Sequence, residues 1–135
     1  MSKTLYPRME VLQSLYELTA DITPYRFIST RPNAVGEQME EFLLIRLPQT
    51  IYDRGDTYQS TTGQIAIFVR DIQGGLENSL CLEQIQEAVT ILFPIVTELY
   101  HGKRPLLLPG GSDGAGFHSL IIQFHLTIFK KHLKA

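Results

Sequence analysis

The stretch that decides the fold is Phe117–Lys130, FHSLIIQFHLTIFK, near the end of a chain of 135 residues. Apolar residues occupy every second position of this stretch, namely Leu120, Ile122, Phe124, Leu126 and Ile128. This alternation predicts a long β-strand with one buried face, because successive side chains of a strand point to opposite sides of the sheet. The other side mixes polar and apolar residues: Ser119, Ile121, Gln123, His125, Thr127 and Phe129. We therefore expect the second face of this strand to be partly covered as well.

Working outward, the remaining patterns predict two helices and three more main strands. The predicted strands are Phe42–Leu47, Gln64–Asp71 and Arg104–Pro109, with Tyr25–Thr30 as a short edge strand. The first predicted helix covers Tyr6–Asp21. The second covers Leu82–Leu99, starts at a cap on Asn78 or Ser79 and ends before Gly102. Pro94 removes a backbone donor from this second helix and predicts a kink, or a break into two helical pieces, near Leu92.

The order of the main elements is α-β-β-α-β-β, and each pair of strands can be joined as a hairpin. This order predicts an α+β fold with a four-stranded, mostly antiparallel sheet and the two main helices packed on one face. Residues 1–135 are expected to form a single domain, because no repeat or linker divides the chain. A chain of this length buries roughly 65–70% of its unfolded surface without disulfides or metals.

Composition and charge bear on the class of partner. The 12 Lys and Arg residues against 14 Asp and Glu residues give a formal charge of −2, so we expect no broad basic field for nucleic acid. Cys81 is the only cysteine, which excludes an internal disulfide and predicts a small buried apolar group near a helix start. The sequence has no secretory signal and no run of roughly 20 apolar residues. These features predict a soluble protein made inside the cell.

The residue types of known catalytic and metal sites do not occur in matching patterns. The glycine-rich stretch Gly110–Gly116, GGSDGAG, leads into a strand and contains no lysine, which favours a hairpin connection over a phosphate loop. His118 and His125 are separated by an odd number of positions on one strand, so they are expected on opposite faces and unable to share an ion. Cys81 has no histidine beside it in the sequence. We expect no enzymatic activity, no metal and no cofactor.

The long connection Gln49–Gly63 is the candidate contact element. Its length predicts that the flanking strands extend into it and form a hairpin arm that projects beyond the body. The charged residues at its centre, Asp53, Arg54 and Asp56, are typical of a solvated tip or of a surface that recognises a partner. Tyr52 and Tyr58 flank them and are residue types that often anchor interfaces, which favours the partner.

The succession of elements resembles the tail terminator and head–tail joining proteins of tailed bacteriophages. The resemblance rests on the N-terminal amphipathic helix, the hairpin with a long loop, the central helix LEQIQEAVTILFP (82–94) and the final pair ending in LIIQFHLTIFKK (120–131). It implies a ring, usually of six subunits, that caps the tail tube or joins it to the head connector, with DNA passing through the ring. It also implies a virion protein of the tail or neck, made in the bacterial host cytoplasm, with no enzymatic activity. By position, it implies contacts from the arm, with Tyr52, Asp53, Arg54, Asp56 and Tyr58, and from the loop with Ser112 and Asp113.

Two other classes of function remain open at this stage. The chain is also compatible with an adaptor subunit of another injection-type assembly, which differs only in its partner. It is further compatible with a small α+β enzyme or ligand-binding domain, which predicts a concave pocket with converging polar groups.

Overall fold

The computed structural model describes residues 2–5, 8–31, 39–48, 51–55, 58–129 and 131–134. It contains two α-helices, α1 (Arg8–Leu18) and α2 (Ser79–Thr90). The strands are β1 (Ser2–Leu5), β2 (Arg26–Ile28), β3 (Glu41–Arg46), β4 (Tyr52–Asp53), β5 (Tyr58–Arg70), β6 (Ile95–Val96), β7 (Tyr100–Ser112), β8 (Phe117–Phe129) and β9 (Lys131–Lys134). The fold is therefore mostly β.

One curled, mixed sheet forms the body of the molecule. Six strands follow one another in the order β2-β3-β5-β8-β7-β6, and the short β4 pairs with β5. The pair β2 and β3 is parallel, and the other pairs of this sheet are antiparallel. A separate two-stranded antiparallel sheet joins β1 to β9.

The prediction of a four-stranded α+β sheet in the order α-β-β-α-β-β is wrong. The four main strands are present as β3, β5, β7 and β8, but β2, β4 and β6 extend the sheet and β1 precedes α1. One cause of the error is a polar segment that was predicted as a loop but pairs with another strand. Residues 58–63, which lie in the predicted loop, continue β5 and pair with residues 124–129 of β8. The short edge strand predicted at Tyr25–Thr30 is confirmed as β2.

The core lies between the two helices and one face of the sheet, the helix face. Val11, Leu12 and Leu15 of α1 are fully buried, as is Val89 of α2. They pack with alternate residues of the central strands: Leu43, Ile45, Ile65, Ile67, Ile122, Phe124, Leu126 and Ile128. The alternation predicted for β8 is confirmed, because its apolar residues at every second position belong to this core.

The second helix is shorter than predicted. It begins as expected, with the Asn78 side chain accepting a hydrogen bond from the Cys81 N–H, but it ends at Thr90. Pro94 has no N–H and disfavours a helical residue before it. The chain beyond it forms β6, which pairs with His101 and Gly102, so the predicted second helical piece is wrong. Gly102 lies in β7 and does not terminate a helix.

Candidate functional site

The sheet face opposite the helices, the outer face, is covered by neither described helix. Leu44, Ala66, Ile121 and Leu108 form an apolar row across four neighbouring strands of this face. Burial is uneven along β8: Ser119 is 6% exposed, His125 is exposed, and Ile121, Gln123, Thr127 and Phe129 are half-buried. The prediction of a partly covered second face is confirmed.

One end of the outer face carries an aromatic cluster, and an ion pair lies against it. The Phe42 ring stacks on Phe68 at 4.6 Å between centroids and meets Phe117 edge-on at 5.2 Å. The Arg31 guanidinium lies 5.0 Å from the centre of the Phe42 ring and 2.8 Å from the Asp113 carboxylate. Arg31 therefore joins the residues after β2 to the turn between β7 and β8.

Asp113 organises this turn. Its carboxylate also accepts hydrogen bonds from the Ala115 and Phe117 N–H groups, at 2.7 and 3.0 Å. Burial by itself raises the pKa of Asp113, but the Arg31 contact and the two backbone donors outweigh it and lower the pKa below its usual value. Ser112 ends β7, is exposed, and its Oγ accepts a hydrogen bond from the Gly114 N–H. The glycine-rich stretch is thus a hairpin connection, as predicted.

A row of polar side chains crosses the middle of the outer face. The Arg46 Nε donates to Gln64 Oε1 at 2.8 Å, and Gln64 Nε2 donates to Gln123 Oε1 at 2.8 Å. This row separates the aromatic end from a basic end.

The basic end brings together residues that are distant in sequence. Partial desolvation of the His125 ring lowers its pKa, and the nearby charges of Lys103, Arg104 and Arg54 lower it further. Thr62, Arg104, Leu106, Gln123, Phe124 and His125 line a depression of about 170 Å³. The structure describes no ion pair from Arg54, Lys103 or Arg104 to a carboxylate among its described residues. This end of the outer face therefore carries uncompensated positive charge in the described part of the chain.

β7 provides a free sheet edge beside the basic end. β6 pairs only with His101 and Gly102, and no described strand pairs with that side of β7 from Lys103 to Ser112. Leu106 and Leu107 on this edge are 55% and 47% exposed. The pairing with β8 shifts between Lys103 and Leu106, and Arg104 within the shift has a φ of 58°. A β-bulge of this kind re-aims the side chains of an edge strand.

The predicted contact residues of the long loop lie in and next to the sheet. Tyr52 is 55% exposed on β4, whose Asp53 pairs with Gln59, and Tyr58 is 39% exposed at the start of β5. The Arg54 Nε donates to Ser60 Oγ at 2.8 Å, and its guanidinium lies 5.3 Å from the Tyr52 ring centre. Asp56 and the side chain of Asp53 lie outside the described residues.

The predicted projecting arm is wrong. β5 pairs with β8 along its whole length, from Tyr58 opposite Phe129 to Arg70 opposite Phe117. Gln59, Ser60 and Thr61 are no more than 5% exposed, so this segment belongs to the body of the sheet. The strands do extend into the loop, as predicted.

The two predicted contact regions are far apart. Tyr58 lies opposite Phe129 at one end of β8, and Ser112 lies opposite His118 near the other end. At roughly 3.3 Å per residue, they are separated by about 36 Å along the strand. The structure does not bring the two regions into one site.

The histidines lie on different faces. His118 is on the helix face, where its Nδ1 lies 2.5 Å from Asp71, whereas His125 is on the outer face, as predicted. The sequence reasoning missed Asp71 because the pairing needs the β5–β8 register. Within the described residues, no group of three or more His, Cys, Asp or Glu side chains is arranged to hold a metal.

Cys81 lies in the first turn of α2 and is half-buried. Burial raises the pKa of its thiol, and the nearby carboxylates of Glu41 and Glu40 raise it further. The neutral thiol is favoured at neutral pH, which is the opposite of an activated nucleophile.

No protein-family model and no curated protein matches this chain. Neither described helix is long and apolar enough to cross a membrane.

Proposed function

We propose that this protein is a structural subunit that assembles with copies of itself into a ring at the tail or neck of a tailed-bacteriophage particle. In that role it caps the tail tube or joins it to the head connector, and it has no enzymatic activity. The observation that carries the proposal is the pair of exposed leucines, Leu106 and Leu107, on the edge of β7 that no described strand covers. The succession of elements in the sequence supports the phage assignment.

An exposed sheet edge with large apolar side chains is unusual for a chain that stays alone. Such an edge offers both backbone groups and side chains to another molecule, and proteins commonly blunt its backbone pairing with charges, prolines and bulges, all of which occur on β7. Those devices do not cover large apolar side chains that remain exposed on the edge. The free part of β7 runs for ten residues, Lys103–Ser112, and carries the exposed Leu106 and Leu107. These features favour an interface at this edge.

The same edge contains two prolines. Pro105 and Pro109 have no N–H, which hinders the continuous addition of another strand. Contacts through side chains are therefore favoured over the extension of the sheet. We propose that this contact joins the edge to a different surface of the neighbouring copy, because contacts of that kind close into rings when the rotation allows it.

The proposal places the protein in the virion, after synthesis in the cytoplasm of the bacterial host. The partners are further copies of the chain, the tail tube and the head connector, and DNA passes through the ring. We expect about six subunits, as in the proteins that the sequence resembles, with one self-associating contact per subunit interface.

The test is the mass of the purified protein, measured by light scattering after size exclusion over a concentration series. We expect a discrete closed oligomer. The variant Leu106→Gln/Leu107→Gln is expected to dissociate it, whereas Leu76→Gln, at a residue 63% exposed outside the sheet edge, keeps it intact. A wild-type protein that stays monomeric at every concentration overturns the proposal.

A further inference from the structure

A shallow groove on the helix layer lies between the end of α1 and the second half of α2. It has a volume of about 470 Å³ and is lined by Leu18, Asp21, Ile22, Gln84, Ile85, Ala88, Ile91 and Leu92. Ile91 is 80% exposed and Leu18 is 40% exposed, so apolar surface faces outward at the groove. Exposed apolar surface of this kind marks a contact site when it is rimmed by polar residues.

One carboxylate lines this groove, and two more lie on the exposed side of the helix that forms one of its walls. Asp21 lines it, and Glu83 and Glu87 lie on the exposed side of α2, with Glu87 one turn before Ile91. Neither glutamate has an ion pair within the described part of the chain. Two carboxylates four positions apart on a helix repel each other, so a cation placed between them relieves that repulsion.

The segment with matching chemistry is Lys103–Leu107, KRPLL, on the free edge of β7. Its two cations precede two exposed leucines, which is the combination that the groove requires. The left-handed backbone of Arg104, at a φ of 58°, is a conformation that costs energy for residues other than glycine. Strained residues of this kind cluster at functional sites.

The segment cannot reach the groove of its own chain. Lys103 is held opposite His125 and Leu106 opposite Gln123, at the edge of the sheet beyond β8. The α1 helix packs on β2 and β3, far from β7 in the strand order, and the α2 helix packs on β5 and β8. Both helices lie on the helix face, whereas Lys103 and Leu106 pair with outer-face residues. Only a second copy can bring the segment to the groove.

We infer that Lys103–Leu107 of one copy docks into the groove between α1 and α2 of the next. Leu106, which lies on the same face of β7 as Arg104, contacts the apolar floor, and Arg104 pairs with Glu87 on the neighbouring helix surface. This inference rests on the proposed self-assembly and identifies the two surfaces that meet. Because the segment and the groove are different surfaces, every copy offers both, and the contact propagates head to tail. The charges fix the orientation of the contact.

The test is a charge exchange in the full-length protein. Arg104→Glu and Glu87→Arg are prepared separately, together in one chain, and as an equimolar mixture, and their association is followed by light scattering. We expect each single variant to associate at least ten-fold more weakly. The chain with both substitutions is expected to associate like the wild type, because the two charges are exchanged at every interface. The mixture is also expected to associate, because interfaces with the exchanged pair alternate with interfaces that keep the original pair. Association is also expected to weaken as NaCl rises from about 50 mM to about 0.5 M, because salt screens exposed charges.

Arg8→Glu and Glu98→Arg are the matched controls, since they change the net charge equally at exposed residues away from the groove and the segment. Both are expected to assemble like the wild type. At a concentration low enough for every protein to be monomeric, all variants are expected to unfold at the same denaturant midpoint. If the wild type assembles and the single variants assemble equally well, this interface is wrong while the proposed function stands. If the single variants fail and neither the mixture nor the combined chain recovers, Arg104 and Glu87 are not partners and the inference is overturned. A wild type that never associates overturns the proposed function itself.

Discussion

Gly63 on β5 lies directly opposite Phe124 on β8, and the aromatic ring occupies the space that a side chain at residue 63 needs. A Cβ built at residue 63 stands 2.6 Å from the Phe124 ring, nearer than real Cβ atoms approach. The ring also packs against Phe93 at 4.8 Å between centroids, so it has contacts on both sides. The absence of a side chain at residue 63 thus lets a large core residue lie flat across the neighbouring strand.

We expect Gly63→Ala to destabilise the protein by about 1–3 kcal/mol, because overpacking of a close-packed core forces side chains or backbone to shift. The free energy of unfolding from urea denaturation measures this effect. Gly102→Ala is the matched control on β7, since its Cβ meets no atom nearer than 3.5 Å. Equal stability of the two variants would show that Phe124 moves aside without cost.

The ion pair between Arg31 and Asp113 makes the free energy of unfolding depend on pH in the acidic range. The pKa of Asp113 is lower in the folded protein than its usual 3.8, so the folded state binds the proton less readily than the unfolded chain. The stabilisation is therefore present above the usual pKa and is lost as the pH falls through the folded pKa.

We expect Asp113→Asn to be less stable than the wild type at pH 7 and to approach it as the pH falls below about 5. Urea denaturation at a series of pH values measures the difference. Asp21→Asn, at an exposed residue, serves as the control substitution. A stability difference that stays constant down to about pH 2 argues against the coupling of Asp113 ionisation to folding.

Local patterns predicted those parts of the fold in which one face is buried. The alternation in residues 117–129 is preserved in β8, and the cap at Asn78 starts α2, because both depend on residues close together in sequence. The loop predicted for residues 59–61 was wrong because their structure depends on a distant strand and not on a local pattern. They are polar and read as a loop, yet pairing with β8 buries them, and only the register of two distant strands determines that pairing.

The contacts predicted for the long loop stay a prediction, and the basic end was not predicted. Tyr52 and Tyr58 are exposed as an interface requires, but the basic end joins Arg54, the pair Lys103 and Arg104, and His125 from three separate segments. The one local signal was the sequence KRPLLL at residues 103–108, in which a basic pair precedes three leucines. The partner of Asp113, 82 positions away, has no local signal at all.

His125 reports on the basic end of the outer face. The side chain is exposed overall, but partial desolvation of its ring is the larger cause of its lowered pKa, and the described charged groups around it, Lys103, Arg104 and Arg54, lower the pKa further. The folded protein thus binds a proton at His125 less readily than the unfolded chain does. This group therefore makes stability fall as the pH drops through about 6.5.

We expect Arg104→Gln to raise the pKa of His125 part of the way back towards 6.5, because burial and two of the three cations remain. The titration of the ring Cε1 proton by NMR measures the shift, and His125→Gln assigns the signal among the four histidines. Arg8→Gln removes the same charge at the start of α1 and is expected to leave the signal unchanged. If the pKa of His125 does not rise in Arg104→Gln, the guanidinium does not act on the imidazole and the two groups do not share this end of the sheet.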